Sequence, residues 1–362
     1  MPDPNTPLEA IARRAAGEDR PDGDLAPDIA ILHKLGWLVA CLPRSSGGQG
    51  WGSEPAGALP ALVALRAIGR ANLSVARLFE GHMNAVKLIE AYGSNALRAQ
   101  IAQRVGEGLL LGVWGADDPA CPLRFTFTAD GLLLEGAKRF ASGLGVVGAA
   151  LVTAGGRGEP TQLLVVDVDD PARADATGWT MAGMRATRSG RYEFSGVRVS
   201  GSRLVGSTGD FEREPLFEGG IWRYCAAHLG GAEALYHAMC ETLVARDRAV
   251  DPHQQVRVVS AATALETARL WLARCAEEVE ASGAGADKAN LSLLAREVTA
   301  NVCRTVLHEV DAALGMAAHV EGTPVERIGR DLSLFLCQAA PDAKRARAAG
   351  ALIDGCRRIE AL

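Results

Sequence analysis

Residues 124–142 read RFTFTADGLLLEGAKRFAS. Arg124 to Thr128 alternates polar and aromatic side chains with period two, the pattern of a half-buried strand. Asp130-Gly131 and Gly136 break the run, and apolar strand-type residues resume after each break. Outward on both sides lie similar short runs: LLLGVWGAD from Leu109, AALVTAGG from Ala149, QLLVVDVDD from Gln162 and GRYEFSGVRV from Gly190. Tyr192-Glu193-Phe194 alternates in the same way. No long helical pattern interrupts residues 109–205. The spacing therefore predicts an antiparallel barrel or sandwich rather than βαβ units.

The flanks read differently. In residues 1–108, Ile31, Leu32, Leu35, Leu38 and Val39 fit one helical stripe, which PRSSGGQGWG (Pro43 to Gly52) ends. Helical spacing returns at Leu59–Ile68, Val75–Leu88 and Leu97–Val105. From about Phe217 the period is helical again. Val258, Ala261, Leu265, Ala268, Leu272, Cys275 and Val279 form a bundle seam, and Val298, Val302, Val306, Val310 and Leu314 form a ladder on the next helix. SGAGADKAN (Ser282 to Asn290) joins the two. The expected fold class is α+β, with an N-terminal helical domain (1–108), a middle β domain (109–205) and a C-terminal four-helix bundle (206–362).

The 362 residues are 48% hydrophobic and 22% charged, with 38 basic and 43 acidic side chains. That is a globular composition with no basic excess for nucleic acid and no charge run for a membrane surface. No long uncharged apolar stretch predicts a membrane span. The segment MPDPNTPLEAIARRAAGEDRPDGD lacks the apolar core of a secretory signal, so a cytoplasmic protein is expected. Its eight cysteines form no CxxC pair and read as reduced, mostly buried thiols. No His, Cys, Asp or Glu set has metal spacing, so no metal is expected. Gly143-Leu144-Gly145-Val146-Val147-Gly148 matches GxGxxG, but a strand rather than a helix follows it. It reads as a glycine-rich turn, not a dinucleotide site.

Four segments in order resemble those of the acyl-CoA dehydrogenase flavoproteins: LGWLVACLPRSSGGQGWG (35–52), GLLLEGAKRFASG (131–143), MAGMRATRSGRYEFSGVRV (181–199) and PVERIGRD (324–331). The resemblance implies FAD in a cleft between the β domain and the C-terminal bundle. It also implies a small-molecule acyl substrate, such as an acyl-CoA, and a homodimer or homotetramer. Phe140 and Ser142 fall where the family has the Trp and Thr of its "WIT" segment, whose hydroxyl lies near flavin N5. Asp117 falls at the family's "TEP", although the following "GSD" is absent. Arg246 matches the Arg of "RxQFGxP", which the resemblance puts on the cofactor's diphosphate or adenine side across the subunit interface, with Arg248, Ala249 and Val250 replacing Gln, Phe and Gly. Gly315 matches a glycine upstream of the "RD" motif.

The family's catalytic Glu, eight residues beyond that Asp, becomes Ala339, which accepts no proton. Some relatives place the base near the start of the bundle, where Glu218 is the nearest carboxylate and the candidate base. Arg223 on the same helix is a candidate for an anionic substrate group. Three readings follow. The first is an FAD oxidoreductase acting on the CH–CH group of an acyl thioester. The second is a flavin monooxygenase on the same fold, served by a flavin reductase. The third is a non-catalytic binding protein.

Overall fold

A computed structural model describes residues 7–155 and 160–354. Cys356, counted above among the buried thiols, lies outside the described residues. The chain runs through helices, then strands, then helices. The first group is α1 (Pro7–Arg14), α2 (Ala26–Lys34), α3 (Trp37–Ala40), α4 (Ala58–Ala71), α5 (Leu73–Tyr92) and α6 (Asn95–Gly106). The single stripe expected through Ile31 and Val39 is in fact two helices. Gly36 takes φ 73°, a left-handed turn open to glycine, and leaves Leu35 at the surface. Side-chain caps start the longer helices. Asn72 accepts from Ser74 N at 2.9 Å to open α5, and Ser94 accepts from Leu97 N at 3.2 Å to open α6.

Ten strands follow: β1 (Leu111–Trp114), β2 (Arg124–Thr128), β3 (Gly131–Glu135), β4 (Ala137–Ala141), β5 (Ala149–Ala154), β6 (Gln162–Asp167), β7 (Ala174–Asp175), β8 (Gly190–Glu193), β9 (Arg198–Val199) and β10 (Leu204–Val205). They form three sheets, ordered β1-β5-β6-β10, β2-β3-β9 and β4-β8-β7. Every pairing between these strands is antiparallel except β1 with β5, which is parallel. The β2–β3 hairpin and β4 lie in the crossover between those two strands. Tyr192 and Phe194 are buried, as their alternation predicts. The Arg124–Thr128 strand is not half-buried. It is the edge of its sheet, and Phe127 is 70% exposed. The GxGxxG segment is a turn leading into β5.

The last group is α7 (Trp222–Ala245), α8 (Pro252–Glu280), α9 (Lys288–Leu314), α10 (Pro324–Phe335) and α11 (Pro341–Asp354). The predicted seam is buried on α8 from Ala261 to Val279, and so is the ladder on α9 from Val302 to Leu314. The helical groups meet where α4 crosses α7. A Cβ on Gly69 would lie 2.4 Å from Ala227 O, and one on Gly230 would lie 2.2 Å from Arg66 O. Only glycine allows that approach. Glu233 locks the crossing by accepting from Arg66 Nε at 2.9 Å and from Arg70 at 2.5 Å. Buried His82 ties α5 to its neighbours. Its Nδ1 accepts from Leu111 N at 3.1 Å, so its Nε2 proton faces Leu38 O, also at 3.1 Å. Burial lowers its pKa to about 4, which keeps the ring neutral.

Candidate active site

A cavity of about 510 Å³ opens between the β layer and the C-terminal helices. Its walls come from the ends of β1 and β4, the loop before β8, α5, and the chain leaving α10. Backbone geometry concentrates here. Five non-glycine residues among those described have positive φ, and three of them line the cavity: Phe140 (55°), Met184 (54°) and Ala340 (50°). Left-handed backbone at a side-chain-bearing residue is costly and clusters at functional sites.

Phe140 and Met184 each have a local cause. The β4–β8 register passes from Lys138↔Tyr192 to Ala141↔Gly190, so β4 carries one extra residue. This bulge leaves the Phe140 ring 48% exposed at the cavity, with the Arg139 guanidinium 5.0 Å from its centroid. Met184 and Arg188 bracket a tight turn at Arg185–Thr187 that delivers Thr187 and Ser189 to the cavity. Asp331 accepts from Met184 N at 2.6 Å and holds that turn against α10. Burial pushes the Asp331 carboxyl up to about 6, against the lowering effects of the Met184 N–H and of Arg327 and Arg330. Arg330 adds bonds to Ala182 O and Asp19 at 2.5 Å and to Glu326 at 2.7 Å. The PVERIGRD segment thus acts as a clamp on the cavity wall.

Ser142 is the best-positioned polar group. Trp114 Nε1 donates to its carbonyl at 3.1 Å, and Gly143 N donates to Thr187 O at 2.7 Å. Its hydroxyl lies 2.8 Å from Ser189 Oγ, which lies 2.8 Å from Thr187 Oγ1. Indoles and rings of Trp114, Trp179 and Phe335 supply flat apolar wall. Trp179 Nε1 donates to Met184 O at 3.0 Å, and His228 packs edge-on behind Phe335 at 4.3 Å between ring centroids. Among the described residues the lining holds one permanent cation, Arg77, which pairs with buried Glu80. Burial raises the Glu80 pKa, and Arg77 and Asn84 oppose that rise. Among the described residues the lining contains no carboxylate and no imidazole.

The structure brings Phe140, Ser142 and Ala339 together at this cavity and places the other sequence candidates elsewhere. Asp117 is outside the lining. It accepts from Lys138 Nζ at 2.7 Å and Leu123 N at 3.1 Å, so it neutralises a fully buried lysine. Glu218 is buried but faces α11, where it pairs with Lys344 at 3.6 Å and with Arg347. It has no access to the cavity and is not positioned as its base. Arg223 is a core ion pair: it donates to Glu280 at 2.6 Å, Gly52 O at 2.7 Å and Asn84 at 3.1 Å. Its Nε has no hydrogen-bond partner among the described residues, but the side chain is buried in the core and does not line the cavity. Arg246 is an exposed residue ending α7, and Gly315 is an exposed residue ending α9 at φ 60°. Neither lines the cavity. Cys337 is exposed at the cavity wall rather than buried like Cys41, Cys225, Cys275 and Cys303.

Arg77, Trp179, Thr187 and Ser189 went unmarked in the sequence. Thr187 and Ser189 stand inside the quoted MAGMRATRSG segment. Arg77 and Trp179 carry no pattern that separates them from surface residues. Among the described residues, no group of three or more His, Cys, Asp and Glu is placed to hold a metal ion, and no helix is long and apolar enough to cross a membrane.

The flavin implied by the sequence resemblance fits this cavity. The volume is that of a small-molecule site, the walls are flat and aromatic, and a buried hydroxyl and a cation converge on it. Residues 8–108 match the family model of the acyl-CoA dehydrogenase N-terminal domain. The chain is 30% identical over 214 residues to a dibenzothiophene monooxygenase of Rhodococcus erythropolis, covering 54% of this chain and 49% of that protein. It therefore spans about half the length of the curated relatives it matches. FMN-bound TdsC from Paenibacillus sp. A11-2 superposes with a TM-score of 0.84 at 19% identity, over 98% of this chain and 97% of that one. KijD3 in complex with FMN and a dTDP-linked amino-keto sugar gives 0.81 at 21% identity, over 97% and 92%.

Proposed function

We propose that this chain, acyl-CoA dehydrogenase-like in its fold and its N-terminal domain, is a flavin-dependent monooxygenase acting on a small, largely apolar molecule. One observation carries the choice: among the described residues the cavity wall holds no carboxylate or imidazole, and Ala339 stands in it at the position counted from the "RD" motif. A dehydrogenase that removes an α-proton from an acyl thioester needs a base within hydrogen-bond reach. Oxygen insertion does not need one at that place. The similarity to a dibenzothiophene monooxygenase supports the same reading.

A reduced flavin, when bound, supplies the electrons that activate O₂; one oxygen atom enters the substrate and the other leaves as water. A separate flavin reductase is the proposed source of the reduced flavin. FMN is the proposed form, as in the TdsC and KijD3 complexes. In this reading Ser142 hydrogen-bonds the redox-active edge of the ring. Arg77 offsets negative charge on the bound molecules. Trp179, Met181 and Phe335 exclude water and orient an apolar substrate. The chain works as a homo-oligomer. The free thiols of the described residues suit a reducing, cytoplasmic setting.

The test is to supply reduced FMN from a reductase under ¹⁸O₂ with indole or dibenzothiophene as probes. The expected result is a product heavier by one labelled oxygen. Anaerobic bleaching of bound flavin by an acyl-CoA, with no labelled product, would overturn the proposal in favour of dehydrogenation.

A further inference from the structure

The hydroxyls of Ser142, Ser189 and Thr187 form a chain with 2.8 Å steps that ends on Met184 O, 2.8 Å from Thr187 Oγ1. All three residues are buried, and all three line the cavity. Three hydroxyls carry three hydrogens, so the chain has a direction. In the observed geometry Ser189 donates to Ser142 and Thr187 to Met184 O, and the Ser189–Thr187 contact accepts either donor. If each points inward, a turn of the Ser142 hydroxyl makes Ser142 donate to Ser189, Ser189 to Thr187 and Thr187 to Met184 O. Ser142 then offers the cavity only lone pairs. If each points outward, Thr187 donates to Ser189, Ser189 to Ser142, and Ser142 donates into the cavity. Reversal leaves no carbonyl stranded, because Trp179 Nε1 still donates to Met184 O at 3.0 Å.

We infer that Ser142–Ser189–Thr187 is a reversible hydrogen-bond relay that presents a donor to oxidised flavin and an acceptor to reduced flavin. The inference rests on the flavin reading above. Flavin N5 is an acceptor when oxidised. Reduction adds two electrons and one proton at N5, which becomes a donor. The electrons come from the reductase in the proposed function and from dithionite in the test. A lone serine at such a position would have its own hydrogen unpaired in one of the two states. The relay gives that hydrogen a partner in both. Ser189 and Thr187 are thus positioning residues that act through Ser142.

The test measures binding of oxidised and of dithionite-reduced FMN, and the midpoint potential of the bound flavin. Thr187→Val keeps the side-chain shape and removes the inward acceptor. Ser189 can then donate only to Ser142, which fixes Ser142 as a donor. Affinity for oxidised FMN is expected to stay within about twofold, while affinity for reduced FMN falls about tenfold, the scale of one unpaired buried hydroxyl. For the two-electron couple, tenfold corresponds to a potential lower by about 30 mV. Thr187→Ser restores both values. Should Thr187→Val fail to fold, Ser189→Ala removes the middle hydroxyl and carries the same expected sign. Equal loss for both flavin states, or no shift in potential, would overturn the relay while leaving the flavin reading intact. Wild-type protein that binds neither form would remove both.

Discussion

Asp331 shows how one buried carboxyl is used as a fixed acceptor. It receives the Met184 N–H at 2.6 Å and faces Arg327, Arg330 and Asp19, yet burial dominates and its pKa rises to about 6. A carboxyl raised from its ordinary value of 3.8 favours the fold while protonated. That contribution is complete below about pH 4 and is lost as the pH rises through about 6. Asp331→Asn keeps an acceptor for Met184 and cannot ionise. Its stability relative to the wild type is expected to rise between pH 4 and pH 6 by roughly 2–3 kcal/mol, then level off. Urea denaturation at a series of pH values checks this; a constant difference would show that the residue does not titrate in that window. Glu218 and Arg223 teach a related point. Both are buried charges near the start of α7, and both are consumed by partners, Lys344 and Arg347 for one, Glu280 for the other.

At the scale of elements, β4 does the most for the site. Its first half places Lys138 in the core, fully buried, where it donates to Asp117 at 2.7 Å, Thr153 at 2.8 Å and Gly115 O at 3.2 Å. Burial lowers the Lys138 pKa, and Asp117 opposes the shift. Its second half bulges, which aims Phe140 at the cavity and starts the turn carrying Ser142. The ion pair therefore holds the strand whose end forms the site. Asp117→Ala leaves the ammonium without its counter-charge and is expected to cost about 3 kcal/mol, measured by denaturant unfolding. Flavin affinity should fall with it, because the bulge loses its anchor. A variant as stable as the wild type would show that Lys138 is satisfied by Thr153 and Gly115 alone.

At the scale of the whole molecule, α8 presents apolar side chains on two faces. One is the buried seam of the bundle. The other leaves Val256 70%, Val259 61% and Leu270 55% exposed. Exposed apolar stripes of this kind mark contact surfaces. In the proposed homo-oligomer this face is the expected contact, and light scattering behind size exclusion should report a dimer or tetramer. A double variant, Val259→Glu with Leu270→Glu, is expected to shift the population toward monomer. A wild-type monomer at tens of micromolar would remove the proposal.

The sequence by itself determined the order of helices, strands and helices, because that order is written in hydrophobic period. The α8 seam and the α9 ladder recur at three and four residues, and Tyr192 and Phe194 at two, and burial follows those periods. The resemblance of its 131–143 segment to a known family also singled out Ser142, which lies on the cavity wall. Only the tertiary structure decided which charged residues reach the cavity. Asp117, Glu218 and Arg223 have the right chemistry for a ligand, but a charge buried in a core must be paired, and each found its partner far along the chain. Only the fold brought Arg77, Trp179, Thr187 and Ser189 to the same wall. Residues 77 and 189 are separated by more than a hundred positions, and no local pattern encodes contact at that distance.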